Sequence, residues 1–174
     1  DGLASSNAGG YVSRHLAGTG YAAVEITGQS DDLVVVHVRD DGVEFETVPD
    51  LAGATVPETA AYLEAEHDIG SDQTAIIGPA GENLVRFASI MTTEQRAFGR
   101  AGLGAVLGAK SVKAITFAGD SAPDIDIPAV QSEIHREAAT DDNIMKRQGT
   151  VAVLDLANEM DGLPSYYFSE QHFE

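Results

Sequence analysis

Leu33-Val34-Val35-Val36-His37-Val38, followed by Asp41-Gly42 and then Val43-Glu44-Phe45-Glu46-Thr47-Val48, decides how this chain folds. The first run is β-rich, Asp-Gly is a strong hairpin signal, and the last run alternates apolar with polar as a half-buried strand does. Working back towards the start, Ala22-Ala23-Val24-Glu25-Ile26 reads as another strand, set apart by Gly28-Gln29-Ser30-Asp31-Asp32. Working forward, Thr55-Val56-Pro57-Glu58 has the form of a capping box with Pro in the first turn, opening an Ala-rich helix to about His67. A second β pair is expected at Ala75-Ile76-Ile77 and Leu84 to Ile90, around the turn Gly78-Pro79-Ala80-Gly81-Glu82-Asn83, and Val112 to Phe117 is again strand-like. Gly119-Asp120-Ser121-Ala122-Pro123-Asp124 is a boundary of turn formers without periodicity. Past it the pattern turns helical, from Pro128 to about Ala139 and from Thr150 to about Met160, with Gly162-Leu163-Pro164 as a stop. The fold class is therefore α+β, a mostly β body with a helix followed by the opening helices of a second region.

The 174 residues carry 10 Lys+Arg against 28 Asp+Glu, a net charge of −18. Such a chain cannot grip a nucleic-acid backbone, whose affinity comes from clustered Lys and Arg. The acids are dispersed rather than gathered in a tail, and lysine is scarce, which reads as adaptation to high salt and a halophilic source. The 43% hydrophobic content supports a real core. No apolar run reaches the ~18–20 residues of a membrane span and no leader opens the chain, so a cytoplasmic location without membrane contact is expected. Cysteine is absent, which removes disulfides, thiolate metal sites and thiol nucleophiles from these residues. The chain opens on Asp1 rather than Met and reads as the interior of a longer protein.

The scarce positive charge is concentrated. Arg86, Arg96, Arg100, Lys110 and Lys113, half of the ten basic residues, fall within 28 residues that hold a single acid, Glu94. The same window carries Gly99, Gly102, Gly104 and Gly108. Glycine lets backbone approach a ligand, arginine offers a planar fork for phosphate oxygens, and amides at a helix start would add to an anion site. Close packing of glycines, with the bases offsetting nearby acid, is the plainer alternative. Neither a phosphate-binding P-loop nor a dinucleotide fingerprint is present. Near the start, Ser5-Ser6-Asn7-Ala8-Gly9-Gly10-Tyr11 forms a second turn whose amides and Asn carbonyl could face a phosphate or hard cation.

Three stretches, Ser6-Asn7-Ala8-Gly9-Gly10-Tyr11, Ile77-Gly78-Pro79-Ala80-Gly81-Glu82-Asn83-Leu84-Val85-Arg86-Phe87-Ala88 and Arg96-Ala97-Phe98-Gly99-Arg100-Ala101-Gly102-Leu103-Gly104-Ala105-Val106-Leu107-Gly108-Ala109-Lys110, together resemble the N-terminal domain of the aldehyde:ferredoxin oxidoreductases. These are tungsten enzymes with a bis-pterin cofactor. The likeness runs over nearly the whole chain, in the family's order and with similar separations. It implies that residues 1–123 are a partial tungstopterin-binding domain in a two-sheet arrangement, its first part missing, and that residues 124–174 begin the second, helical domain. It implies cofactor contacts at Asn7 and Gly9 and at Arg96, Ala97, Gly99 and Arg100, with magnesium bridging the pterin phosphates through the main-chain carbonyls of Asn7 and Ala97. Ala101 departs from the family, where a second consecutive glycine is usual.

The reaction implied is oxidation of an aldehyde to a carboxylate, with electrons passed through a [4Fe–4S] cluster to ferredoxin, on tungsten or molybdenum. The cluster cysteines and the acidic and His residues that work on the aldehyde lie further along in the family. No catalytic residue is therefore assigned here, the 174 residues alone are expected to be inactive, and a homodimer is open for the full-length enzyme. Two alternatives stand beside this reading: a free-standing module for a phosphorylated metabolite using Arg96, Arg100 and the glycine turns, and a scaffold that has lost its cofactor. The remaining features read as ordinary. The five histidines lack metal-ligand spacing, Asp124-Ile125-Asp126 is too short for a calcium loop, Glu64 and Glu66 form a solvated helix face, and Ser5 and Ser6 lack a base. Tyr166-Tyr167-Phe168 is left without a role.

Overall fold

A computed structural model describes residues 3–93, 95–121 and 127–171, with Ile127 by its backbone alone. Its contacts divide the chain into two compact units, Asp1–Pro123 and Asp124–Glu174. The boundary residues 122–126, including Asp124-Ile125-Asp126, and Glu94 lie outside the described residues.

The first unit contains helix α1 (Val12–Gly18), strands β1 (Val34–Arg39) and β2 (Gly42–Thr47), helix α2 (Val56–His67), strand β3 (Thr74–Ile76), helix α3 (Pro79–Glu82), strands β4 (Ile90–Thr93) and β5 (Arg96–Phe98), helix α4 (Leu103–Ala109) and strand β6 (Val112–Ala118). All six strands join in one sheet of order β2-β1-β6-β3-β4-β5. Only β1 and β6 run parallel; the other neighbours are antiparallel. The α+β class stands, but the expected two-sheet arrangement is replaced, among the described residues, by this single mixed sheet.

β1 lies inside the sheet and is buried on both faces, which is why its sequence is a near-continuous run of Val rather than an alternation. Val34, Val36 and Val38 pack with Ala75, Ile77, Ile115 and Phe117 on one face, with Leu107 of α4 and Val12 and Leu16 of α1. Val35 faces the other way, with Ile76 and Ala114, under Val48, Leu51, Leu63 and Ile69. Each fully buried valine contributes roughly 1.5–3 kcal/mol of transfer free energy. α2 starts as its sequence requires: Thr55 Oγ1 accepts from the Glu58 amide and Glu58 accepts from the Thr55 amide, with Pro57 in the first turn.

Two expected strands do not form. Residues 22–26 place Val24 and Ile26 against the apolar face without joining the ladder, so their alternation marks packing and not pairing. In the 84–90 stretch, Leu84 takes φ 56°, Val85 N donates to Ala80 O and Ala88 N donates to Val85 O. Backbone groups engaged in these turns are unavailable to a strand, and β4 begins only at Ile90. The expected turn at 78–83 closes into the short helix α3, with Pro79 where a missing N–H is harmless.

The second unit has helices α5 (Ile127–Thr140), α6 (Ile144–Gln148) and α7 (Leu154–Glu159), with a 3-10 turn Gly149–Val153 where a longer helix from Thr150 was expected. Asn143 caps α6 by accepting from the Lys146 amide. Among its described residues none is buried, and Ile134, Met160 and Tyr167 are exposed.

Candidate functional site

β4 and β5 form a hairpin on one edge of the sheet, with a bulge between Met91 and Thr93. The edge leaves Arg96, Gly99 and Arg100 exposed, while Ala97, opposite Met91, is half-buried. The N-terminal segment lies along this edge. Arg100 N donates to Ser6 Oγ at 3.1 Å. The Arg96 side chain runs beside Gly9 and Gly10: a Cβ on Gly9 would stand 3.6 Å from its Nη1, and one on Gly10 3.5 Å from its Cγ. Residue 6 thus meets residue 100, and residues 9–10 meet residue 96, so the two segments run antiparallel. Two motifs roughly ninety residues apart in sequence therefore share one corner, through Ser6 and Arg100 and through Gly9, Gly10 and Arg96.

The glycines of the window divide into two kinds. Gly99 is open, its nearest neighbour being Ser89 Oγ at 3.9 Å from a Cβ position. Gly102, Gly104 and Gly108 are packing residues, contrary to a ligand-facing role. A Cβ would come within 2.2 Å of Arg86 O at Gly102, 2.5 Å of Ser89 O at Gly104 and 2.0 Å of Gly81 O at Gly108. The amide of Gly104, in the first turn of α4, donates to Ala88 O at 2.9 Å, so it holds the chain and not an anion. Ala101 does adopt the left-handed backbone that glycine would favour, with φ 66°, as does Gly102 after it.

The basic residues divide likewise. Lys113 is fully buried, ion-paired with Glu82 and donating to Ala54 O, and Lys110 donates to Gly28 O. Both serve the fold, which corrects the reading of the whole window as a ligand-facing charge. Arg86, Arg96 and Arg100 remain exposed, and among the described residues Arg96 and Arg100 have no ion-pair partner.

Beside Arg96 opens a cleft of about 590 Å3 lined by Gly10, Tyr11, Ser71, Thr93, Gln95 and Arg96. Beneath Gly10, Thr92 Oγ1 is buried with no hydrogen-bond partner, 3.9 Å from where a Gly10 Cβ would stand. Ser71, Thr92, Thr93 and Gln95 carry no motif, and only the folded arrangement reveals them. Two guanidiniums without an ion-pair partner among the described residues, a glycine pair against one of them, an open glycine and a buried hydroxyl suit a polar, multiply charged anion.

Residues 1–119 match the family model described as aldehyde ferredoxin oxidoreductase, N-terminal domain. The chain belongs to this family. A tungsten-containing aldehyde ferredoxin oxidoreductase of Thermococcus kodakarensis is 37% identical over 181 residues, covering 99% of this chain and 30% of the relative. That of Pyrococcus furiosus is 40% identical over 119 residues, covering 67% of this chain and 19% of the relative. A chain in a solved structure of the active-site complex BamBC of benzoyl coenzyme A reductase with 1,5-dienoyl-CoA superposes with a TM-score of 0.67 at 28% identity, over 92% of this chain and 22% of that one. This member of the aldehyde ferredoxin oxidoreductase family spans about 30% of the length of the curated relatives it matches over nearly all of itself.

Proposed function

We propose that this chain is the cofactor-holding part of a tungsten-dependent oxidoreductase that converts aldehydes to carboxylates and passes the electrons to ferredoxin. The observation that carries the proposal is the corner where Ser6–Gly10 meets Arg96–Arg100: the exposed Arg96 side chain lies against Gly9 and Gly10, the Arg100 amide donates to Ser6, and neither arginine has an ion-pair partner among the described residues. A bis-pterin cofactor presents phosphates, and planar guanidiniums bind phosphate oxygens through paired N–H donors. In this reading Arg96 and Arg100 would hold the phosphates, Gly9 and Gly99 would leave the backbone open to the cofactor, and the main-chain carbonyls of Asn7 and Ala97 would ligate a magnesium ion. The metal–pterin group, when bound, supplies the two-electron redox change. This chain orients it and offsets its charge. With no cysteine in these residues, thiolate ligands of an iron–sulfur cluster must come from elsewhere. What supports the assignment is the meeting of the two segments through Ser6 with Arg100 and Gly9 with Arg96, which spacing along the sequence alone does not require.

The test is cofactor occupancy in the protein as its gene encodes it. Arg96→Ala and Arg100→Ala are expected to lower the tungsten and pterin content per chain. Arg136→Ala, at an exposed position of α5 where the arginine pairs with Glu133, is expected to leave it unchanged. Equal occupancy in all three variants would remove the basis for the site.

A further inference from the structure

At the opposite edge of the sheet from β5, three side chains from three elements converge: His37 of β1, Glu46 of β2 and His67, the last residue of α2. His37 is 3% exposed, an unusual place for an imidazole unless its ring nitrogens are engaged. Its Nδ1 lies 2.9 Å from Thr116 Oγ1 and its Nε2 lies 3.0 Å from Glu46 Oε2. His67 Nε2 is also 3.0 Å from that same oxygen, yet it is buried and its N–H direction makes no hydrogen bond. Two imidazoles thus converge on one carboxylate oxygen, and only one of them is satisfied by it.

We propose that His37, Glu46 and His67 form a divalent-metal site suited to zinc, fastening the end of α2 to the β1–β2 hairpin. The three ligand atoms all lie within 4.8 Å of one another. A tetrahedral zinc with Zn–N and Zn–O bonds of about 2.0–2.2 Å sets ligand atoms about 3.3–3.5 Å apart. The two 3.0 Å separations need to widen by a few tenths of an ångström, and the two imidazole nitrogens, within 4.8 Å of each other, need to settle to the same spacing. Two imidazoles and one carboxylate form a mixed nitrogen and oxygen set that favours zinc over the all-oxygen cations calcium and magnesium. The outer contacts are those that ligating groups require. Thr116 engages the far nitrogen of His37 and so fixes Nε2 as its ligand atom. Tyr62 donates to Glu46 Oε1 at 2.6 Å, leaving Oε2 for the metal. Glu46 and His67, at 26% and 23% side-chain exposure, leave an entry path and room for water as the fourth ligand. The charge also suits: a neutral histidine pair with one carboxylate carries −1, and the dication is drawn to a chain of net −18. Sequence spacing conceals the site, because its ligands are nine and twenty-one residues apart on separate elements.

The probe is Zn2+ itself, added to the tag-free, chelator-stripped full chain in the presence of excess Mg2+. One equivalent is expected to bind, and thermal unfolding is expected to shift upward with free zinc. Co2+ in its place should give visible d–d absorption. His67→Ala and Glu46→Gln, judged folded by circular dichroism, should each lose more than tenfold in zinc affinity, whereas Arg96→Ala should lose none. Tyr62→Phe, which keeps all three ligands and packing, should lose about 10- to 100-fold, the usual effect of removing an outer-shell partner. It keeps the test decisive where His67→Ala fails to fold. Absence of saturable zinc uptake by the folded chain, undiminished uptake in both Tyr62→Phe and the ligand variants, or an anomalous zinc peak away from these residues would overturn the proposal.

Discussion

Gly108→Ala is the sharpest single perturbation of this fold, because two physical effects predict opposite signs. Gly108 is inside helix α4, where helix propensity favours Ala over Gly by about 1 kcal/mol. Against this, the new Cβ would stand 2.0 Å from Gly81 O and 2.6 Å from Gly81 C, with the Glu82 amide nitrogen at 3.2 Å. These are backbone atoms of α3, which cannot swing aside as a flexible side chain does. To restore even a 3.0 Å contact the two helices must part by about 1 Å, opening the interface that Gly81 and Gly104 also line. Overpacking of this kind costs about 1–3 kcal/mol, and rigid backbone puts it at or above the upper end. Net of propensity, a loss of about 2 kcal/mol is expected. At roughly 2–8 °C per kcal/mol this lowers Tm by about 4–16 °C, measured by circular dichroism and by the urea midpoint. Gly99→Ala is the companion: its Cβ meets nothing closer than 3.9 Å, so folding should be unaffected while cofactor content falls. A Gly108→Ala chain as stable as the parent or more so would refute the close helix–helix contact and return this glycine to the ligand.

Ala101→Gly should stabilise the chain, since Ala101 holds φ 66° on an exposed turn. Relief of about 1–2 kcal/mol of left-handed strain, less about 0.5–1 kcal/mol of added unfolded-state entropy, leaves a gain of roughly 0.5–1 kcal/mol in denaturant melts. A loss would show that the turn is not left-handed. Glu82→Gln strips the counter-charge from the fully buried Lys113 and should cost about 3 kcal/mol, whereas the double change Glu82→Leu with Lys113→Met should recover most of it. Equal stability of Glu82→Gln and parent would mean that Lys113 is not confined there. Partial burial pushes the Glu46 carboxyl up, but hydrogen bonds from Tyr62 and His37 and the nearby His67 and His37 outweigh it and hold it below its ordinary 4.5. A depressed native value means that the contribution is complete above about pH 4.5 and is lost as pH falls through the native pKa. Metal-free Glu46→Gln should therefore show a flatter stability profile below pH 4.5 than the parent, and parallel acid profiles would contradict this linkage.

Local chemistry explains what was readable in the sequence. The Val-rich β1 and the Thr55–Glu58 capping box are each determined by residues within a few positions and form as expected, and the hairpin marked by Asp41-Gly42 also forms, with its turn one residue earlier at Asp40-Asp41 and Gly42 opening β2 opposite Arg39. The same holds for the helix at 127–140. Elements that depend on distant partners were not readable. Residues 22–26 have a strand's alternation, but Val24 and Ile26 spend it on packing over the apolar face of the sheet rather than on pairing at an edge. The 84–89 stretch has strand-like composition, yet its backbone is taken up in turns and by α4, Val85 O accepting from Ala88 N and Ala88 O from Gly104 N. At the candidate site, the clustering of arginines and glycines marked out the window while hiding its division of labour. Charge says nothing of burial, so Lys113 counted with Arg96 until its pairing with Glu82 separated them. Glycine has no side chain to reveal what it faces, and Gly99 and Gly108 differ only in their surroundings. His37, Glu46 and His67 gave no sequence signal because β-hairpin register and helix length together bring them into contact.

The central claim is that the edge formed by Ser6–Gly10 and Arg96–Arg100 is where this chain meets a pterin cofactor. A crystal structure of the protein as its gene encodes it, with the metal located by anomalous scattering at the tungsten edge, tests this most directly. The prediction is that the pterin phosphates lie within hydrogen-bond distance of the Arg96 or Arg100 guanidinium, with the Gly9 and Gly99 backbone against the cofactor. Metal–pterin density remote from both segments, with the two guanidiniums in open solvent, would contradict it.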